Sequence, residues 1–430
     1  MLASLTNIFK IGDLRRRVLF TLLMLVVFRI GSFIPVPNIN VAMFEQANNN
    51  FLNLLNTFSG GALKNFSIFA MGIMPYITAS IIMQLLSMEV VPKFTQWARE
   101  GETGRRKIAT VTRYFTIVLS LVQSVGMTFG FNNMAPGLLT DQSVGSYALI
   151  AITLTAGTSL LMWMGEQITE KGIGNGISVI IMAGIVANIH GGVVTIYQSQ
   201  FAETTNLFFS ILKIVIILLV IIAIIVGVIF MQQGIRKIPV QYAKRVVGRK
   251  MYGGQSTHIP LKINSAGVIP VIFAISLVTF PSTIAQFWAD PTGVGVANWI
   301  YQNFQISAPL GMTLYALLIL GFTYFYTFVQ MNPVQMAENM KKNGGYIPGI
   351  RPGKNTEVYI TRTLTRLTLA GALFLMVISI LPFFFTRLAN LPSQIYIGGT
   401  TLLIVIGVVL DTMKQIESQM IKRHYQGFMK

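Results

Sequence analysis

Apolar residues in this chain come in long unbroken runs, and the polar residues gather between them as punctuation. The stretch Ile214 to Met231, "IVIILLVIIAIIVGVIFM", holds no charge. Extended back to Leu207 it makes 25 residues, about 37 Å of helix at ~1.5 Å per residue, enough to cross a ~30 Å hydrocarbon layer with tilt. The pattern recurs and predicts ten spans: 18–36, 68–87, 108–130, 147–165, 174–193, 207–231, 267–287, 312–331, 365–385 and 397–413. One such run fits the buried core helix of a soluble protein. Ten in one chain mark a helical bundle embedded in lipid, where each span satisfies its own backbone hydrogen bonds.

The punctuation repeats. Span two reads Gly72-Ile73-Met74-Pro75-Tyr76-Ile77 and span seven reads Gly267-Val268-Ile269-Pro270-Val271-Ile272, each after an Asn and a Ser (Asn65 and Ser67; Asn264 and Ser265). "GIGNGISVII" (172–181) opens span five and "IGGTTLLIVI" (397–406) opens span ten. Spans one to five are thus echoed by six to ten, a first half over 18–193 and a second over 207–413. An odd number of spans per repeat inverts one half relative to the other, and inverted repeats carry their working site at the midplane between halves. Pro75, near the middle of span two, and Pro270 are expected to kink their helices and free carbonyls toward a polar cavity. The plainer alternative is that both merely bend packed helices.

Composition agrees with the membrane reading. The chain is 53% hydrophobic and 11% charged, against roughly a quarter charged in soluble domains. The first apolar run is long, carries Arg29 and lacks a small-residue cleavage pattern, so a cleavable signal peptide is not expected. Zero Cys excludes disulfides and thiolate metal sites.

Charge orients the bundle. Of the 32 Lys and Arg, 26 fall in the segments of one side, four within or at the edge of spans (Arg29, Arg113, Lys213, Arg366) and two on the other side (Lys64, Arg387). Positive residues mark the cytoplasmic face, so both termini are expected in the cytoplasm, including a tail over 414–430. Two cytoplasmic loops exceed that rule. Loop 232–262 carries Arg236, Lys237, Lys244, Arg245, Arg249, Lys250 and Lys262 with no acidic residue, and loop 332–362 contains "GGYIPGIRPGKN". Structureless connections of such length usually bind something, and an acid-free basic loop suits RNA phosphate or an acidic protein face. The N-terminal segment 1–17, with Leu2, Leu5, Ile8 and Phe9 at helical spacing, is expected to lie along the membrane surface.

Catalytic chemistry is missing. His190, His258 and His424 are scattered and make no metal spacing. Near Gly353-Lys354, Pro348 stands where a phosphate loop needs its first glycine and Asn355 where it needs Ser or Thr. Neither an enzyme nor a cofactor is expected, and energy for transport must come from a partner or an ion gradient. An ion-coupled secondary transporter of small solutes is the rival reading. Such carriers usually hold acids deep in the bundle, whereas Glu166, Glu170 and Asp411 lie near cytoplasmic ends and the deep charge is Arg29.

Several segments, nearly end to end and in order, resemble the SecY/Sec61-alpha family of channel-forming translocon subunits. They are "VVFRIGSFIPVP" (26–37), "FSGGALKNFSIFAMGIMPYITASII" (58–82), "EGETGRRKIATVTRY" (100–114), "LMWMGEQITEKGIGNGISVII" (161–181), "YAKRVVGRKMYGGQSTHIPLKINSAGVIP" (242–270), "MKKNGGYIPGIRPGK" (340–354) and "IGGTTLLIV" (397–405). The resemblance implies an all-α polytopic membrane protein: ten transmembrane helices in two inverted five-helix halves around an hourglass pore with a lateral gate. It would pass unfolded secretory chains across the bacterial cytoplasmic membrane and release transmembrane segments into lipid.

Carried over by position, the resemblance implies a pore ring of Ile73, Ile77, Ile177, Ile181, Ile272 and Ile404. It also implies a plug helix over about 56–65, with Phe58, Ser59, Gly60, Gly61, Ala62 and Leu63 at its heart. Isoleucine suits a ring that must seal yet hold no passing sequence, because it is stiff and offers no hydrogen bond. A lateral gate between spans two and three and spans seven and eight would be closed by polar residues such as Ser80, Gln123 and Ser276, bonding across the seam. Arg245, Arg249, Lys250 and Arg351 would dock the SecA ATPase or the ribosome, with ribosomal RNA the only nucleic acid in view. Implied partners are SecE, SecG, nascent chains, the signal peptides of secretory preproteins, and membrane lipids.

Overall fold

The computed structural model describes residues 11–40, 56, 59–87, 91–134, 137–201, 207–242, 245–247, 250–252, 256–285, 295–306, 308–388 and 399–427. Ten helices fall on the ten predicted spans. They are α1 Gly12–Gly31, α2 Met74–Leu85, α4 Glu102–Met134, α5 Val144–Lys171, α6 Gly176–Phe201, α7 Leu207–Gln233, α8 Ile269–Ala285, α10 Pro309–Gln330, α12 Lys354–Leu388 and α13 Gly399–Gly427. Between them lie the short helices α3 Pro92–Arg99, α9 Val296–Asn303 and α11 Pro333–Lys342. Seven of the ten are long and apolar enough to cross a membrane, while α2 and α8 are apolar but shorter, in accord with a polytopic helical membrane protein. The first helix runs unbroken from Gly12, so Arg15, Arg16 and Arg17 belong to it; Leu2, Leu5, Ile8 and Phe9 lie outside the described residues.

The short length of α2 and α8 corrects the reading of their prolines. Pro75 is the second residue of α2 and Pro270 the second of α8, so neither kinks a continuous span. In a first turn the missing N–H is an orphan donor in any case and the fixed φ suits the helix. Gly72 at φ 57° and Gly267 at φ 65° turn the chain into these helices through the left-handed region, which a side chain resists. The glycine-x-x-proline string therefore starts a helix. The prolines that do stand inside helices are Pro281 and Pro382.

Packing repeats in the same order as the sequence echo. In the first half α2 packs on α4, α4 on α5 and α5 on α6; in the second, α8 packs on α10, α10 on α12 and α12 on α13. The backbone leading into α2 runs close over Gly157 of α5, where a Cβ would collide with the Ile68 carbonyl. The backbone leading into α8 runs over Gly371 of α12, where a Cβ would sit 2.8 Å from the Ile263 carbonyl. Ile68 and Ile263 both stand four residues before the left-handed glycine. The halves meet where α2 packs on α8 and α6 on α13.

The two basic loops are less free than their sequence suggested. In the first loop β1 Ile235–Tyr242 and β4 Ser256–Lys262 form an antiparallel pair, in register Ile235↔Lys262 to Gln241↔Ser256. The other loop adds β5 Gly345–Tyr346 to β1, giving a sheet of order β4-β1-β5. Ile238, Val240 and Leu261 of the sheet are buried with Met340 of α11, Ile347, and Ile360 and Leu364 of α12. Only the bundle is all-helical; the loops join into one folded unit, closed further by Tyr346 Oη donating to Gln241 Oε1 at 3.0 Å. Beyond it, β2 Arg245–Val247 pairs with β3 Lys250–Tyr252.

Candidate functional site

The six isoleucines singled out in the sequence belong to a single apolar cluster. Ile73 is the N-cap of α2 and Ile77 lies one turn on; Ile177 and Ile181 stand one turn apart on α6; Ile272 sits on α8 and Ile404 on α13. Ile73, Ile77, Ile181 and Ile404 are buried at 7% exposure or less, and Ile177 and Ile272 pack against them half-buried. Each half of the chain supplies two helices to this waist. Aliphatic, methionine and phenylalanine side chains make up the cluster, with the half-buried tyrosines Tyr76 and Tyr326 packed against it. Phe273 of α8 joins through edge-on contacts with Phe322 and Tyr326 of α10, which tie the waist to the neighbouring helix.

The segment before α2 sits against this cluster. Residues 59–73 run as successive turns with Gly60 at φ 72° and Gly61 at φ 86°, so the part of the expected plug helix over 59–65 is a compact coil. The coil closes on Asn56, whose carbonyl accepts from Gly61 N (3.0 Å) and Ser59 Oγ (3.2 Å) and whose Oδ1 accepts from Lys64 N (2.9 Å). Ser59 Oγ in turn accepts from Leu63 N (3.2 Å). Ala62, fully buried, touches the isoleucine cluster, while Leu63 and Phe66 face a second cluster with Phe131, Leu138 and Leu154. Phe58 lies outside the described residues.

Among the described residues, side-chain bonds from three residues tie the coil to the bundle. Arg29 Nη1 of α1 donates to Gly60 O (2.7 Å), Asn188 Nδ2 of α6 donates to Asn56 O (2.9 Å), and Asn65 Nδ2 donates to Ser32 O (3.2 Å). Gly60 approaches Gly184 of α6 so closely that a Cβ on it would lie 2.8 Å from the Gly184 Cα. Asn188 was missed in the sequence, yet a signal was there. Ile177, Ile181, Gly184 and Asn188 follow the spacing of one helical stripe.

Other predicted residues are placed less decisively. Ser80 on α2 and Gln123 on α4 are half-buried; Ser276 on α8 is buried, but its Oγ donates to Ile272 O at 2.8 Å within its own helix. Its hydroxyl proton is thereby given to its own turn, as is usual for serine in apolar helices. Arg351 is exposed at the turn that follows β5, with its carbonyl accepting from Thr356 Oγ1 (3.0 Å). Arg245 and Lys250 open β2 and β3, and Arg249 lies outside the described residues. Glu166 is taken up by Arg113, whose Nε donates to it at 2.6 Å and joins α4 to α5.

The fold of this helical bundle is shared with solved protein-conducting channels. The protein described as "the structure of a protein conducting channel" superposes with a TM-score of 0.59 at 19% identity, covering 95% of this chain and 93% of that one. Sec61 from the canine ribosome–channel complex superposes at 0.58 with 18% identity, covering 95% and 93%. The family model for SecY matches residues 67–413. Protein translocase subunit SecY of Halalkalibacterium halodurans is 62% identical over 432 residues, and that of Bacillus subtilis 57% over 433, each covering 100% of both chains. The chain belongs to the SecY family.

Proposed function

We propose that the chain is the protein-conducting subunit of a translocon in the bacterial cytoplasmic membrane, with both termini in the cytoplasm and its two halves inverted. The observation that carries this reading is the gathering of six isoleucines, from α2, α6, α8 and α13, into one cluster with Ala62 lying on it. The isoleucines act as a pore ring. An unfolded chain passes it without being held, because aliphatic side chains offer no polar partner. Ions are turned back, because an apolar neck strips their water without compensation. The coil 59–65 acts as the plug, and α2 with α4 faces α8 with α10 across a lateral gate that signal peptides and transmembrane segments part.

The channel is passive and driven from the cytoplasm. The sheet that unites the two basic loops presents Arg351 at an exposed turn, together with the strands that Arg245 and Lys250 open. A guanidinium there pairs carboxylates or phosphates with two bonds, which suits a motor ATPase of the SecA type or ribosomal RNA. SecE and SecG would brace the outside of the bundle.

The ring is tested by replacing Ile73, Ile177 and Ile404 together with glycine. Ion conductance in planar bilayers without substrate should rise, and unchanged conductance removes the ring from the mechanism. Arg351→Glu should lower motor-driven export into reconstituted vesicles with no loss of folded protein; equal export would take Arg351 out of docking.

A further inference from the structure

Arg29, which the sequence places inside the first span and the structure places at the end of α1, has no role in the reading so far, yet its bond is the shortest of these three side-chain bonds that tie the coil to the bundle. Arg29 sits in the last turn of α1, half-buried, with Nη1 donating to Gly60 O at 2.7 Å and its guanidinium 4.7 Å from the centre of the Phe33 ring. We propose that Arg29 is the latch of the plug: its guanidinium holds the Gly60 carbonyl while the channel rests, and opening requires that bond to break. The proposal rests on the plug reading above and names the residue that keeps the plug seated.

Three features argue for a latch over a fixed structural pair. First, the partner is a backbone carbonyl on a coil of turns, not a carboxylate. A charged donor makes the bond stronger than a neutral one, but release leaves no buried counter-charge behind, so the bond can be broken and remade. Second, Arg29 keeps partners when the plug leaves. Phe33 offers the cation a π face, and the C-terminal end of α1 favours positive charge. Third, the grip comes from two sides. Asn188, two turns beyond Ile181 on α6, holds the Asn56 carbonyl, and the Gly60–Gly184 approach between them lets the coil's backbone reach the helix. The helix that carries two ring isoleucines thus also carries one tether, so a chain that spreads the ring would disturb the plug's seat.

The chain has no cysteine of its own, so a single introduced thiol reports plug position without background. In the full channel with its partner subunits, reconstituted in vesicles with neither motor nor substrate, Ala62→Cys is read by its rate of labelling with an impermeant maleimide. In the resting channel that site is buried. Arg29→Met should raise the labelling rate by about tenfold, in line with loss of a hydrogen bond to a charged group of about 1.4 kcal/mol. Arg29→Lys should restore most of the protection, because it keeps a cationic donor, which a merely structural role of the arginine would not predict. If Arg29→Met does not accumulate in the membrane, Arg29→Gln, a neutral donor, replaces it and should still label faster than Arg29→Lys. Labelling as slow as in the parent, while the triple glycine ring variant conducts ions, overturns the latch and leaves the channel reading intact. If the ring variant does not conduct either, it is the channel reading that fails.

Discussion

The lead-in to α2 and the lead-in to α8 begin their helices with the same string, yet they are put to different uses. Both turn through a left-handed glycine, both place proline second in the helix, and both lay a carbonyl over a glycine of the fourth helix of their half. Before Ile68 the first lead-in is a coil folded into the bundle, gripped by Arg29, Asn188 and the Ser32 carbonyl. Before Ile263 the second is strand β4, hydrogen-bonded along its length to β1. One start signal therefore serves a coil folded into the bundle in one half and a sheet in the other. The contrast teaches that helix initiation is a local matter, whereas what fills the space in front of a helix depends on which side of the membrane the segment occupies and what it can pack on. The proposed inversion of the two halves would put the equivalent lead-ins on opposite faces, and the proposed division into plug and docking platform follows from it.

The comparison can be broken at its tightest contact first. Gly157→Val should destabilise the detergent-solubilised protein by at least ~3 kcal/mol, since a Cβ there meets backbone that cannot swing aside. Gly371→Val, with more room beside Ile263 O, should cost less in the same thermal unfolding measurement. Equal losses would mean that the two lead-ins are seated alike. Next, Gly72→Ala and Gly267→Ala should each cost about 1–2 kcal/mol for forcing an alanine into the left-handed region, and the two values should match. A clear inequality would show that the shared string is not one structural signal.

Smaller effects sharpen the point about the prolines. Pro75→Ala and Pro270→Ala should each change stability by less than ~1 kcal/mol, because a first-turn proline removes no helix hydrogen bond. Stabilisation near ~3 kcal/mol on either replacement would revive the interior kink. Smallest of all, Tyr346→Phe deletes an exposed bond to Gln241 and should cost under ~1 kcal/mol, visible only as faster amide exchange in β5. Against the tenfold exposure expected from loosening Arg29, that would show the lead-in to α2 to hang on few bonds and the lead-in to α8 on many.

Much of this was legible along the chain. Lipid-scale runs located the helices to within several residues at most ends, and the glycine-proline echo named the two that line the seam. The six isoleucines came from a resemblance rather than from periodicity, since a chain so rich in isoleucine does not mark which ones converge. Two expectations did not survive contact with the structure. Proline at residue 75 reads as a kink when the apolar run is taken to begin at 68, but residues 68–73 are irregular, so the helix starts late. The plug reads as a helix over about 56–65, but residues 59–65 run as turns through the left-handed Gly60 and Gly61.

The sequence by itself determined the solvent and the places where helices run and start, because each of these depends on residues close together in the chain and on their transfer between water and lipid. Only the tertiary structure decided that four helices bring their isoleucines to one waist, that two separate basic loops close into one sheet, and that Arg29 reaches 31 residues along the chain to the Gly60 carbonyl. Those outcomes turn on which distant groups come within a few ångströms of each other. Dispersion and hydrogen bonding act only at that range, so no local pattern encodes them.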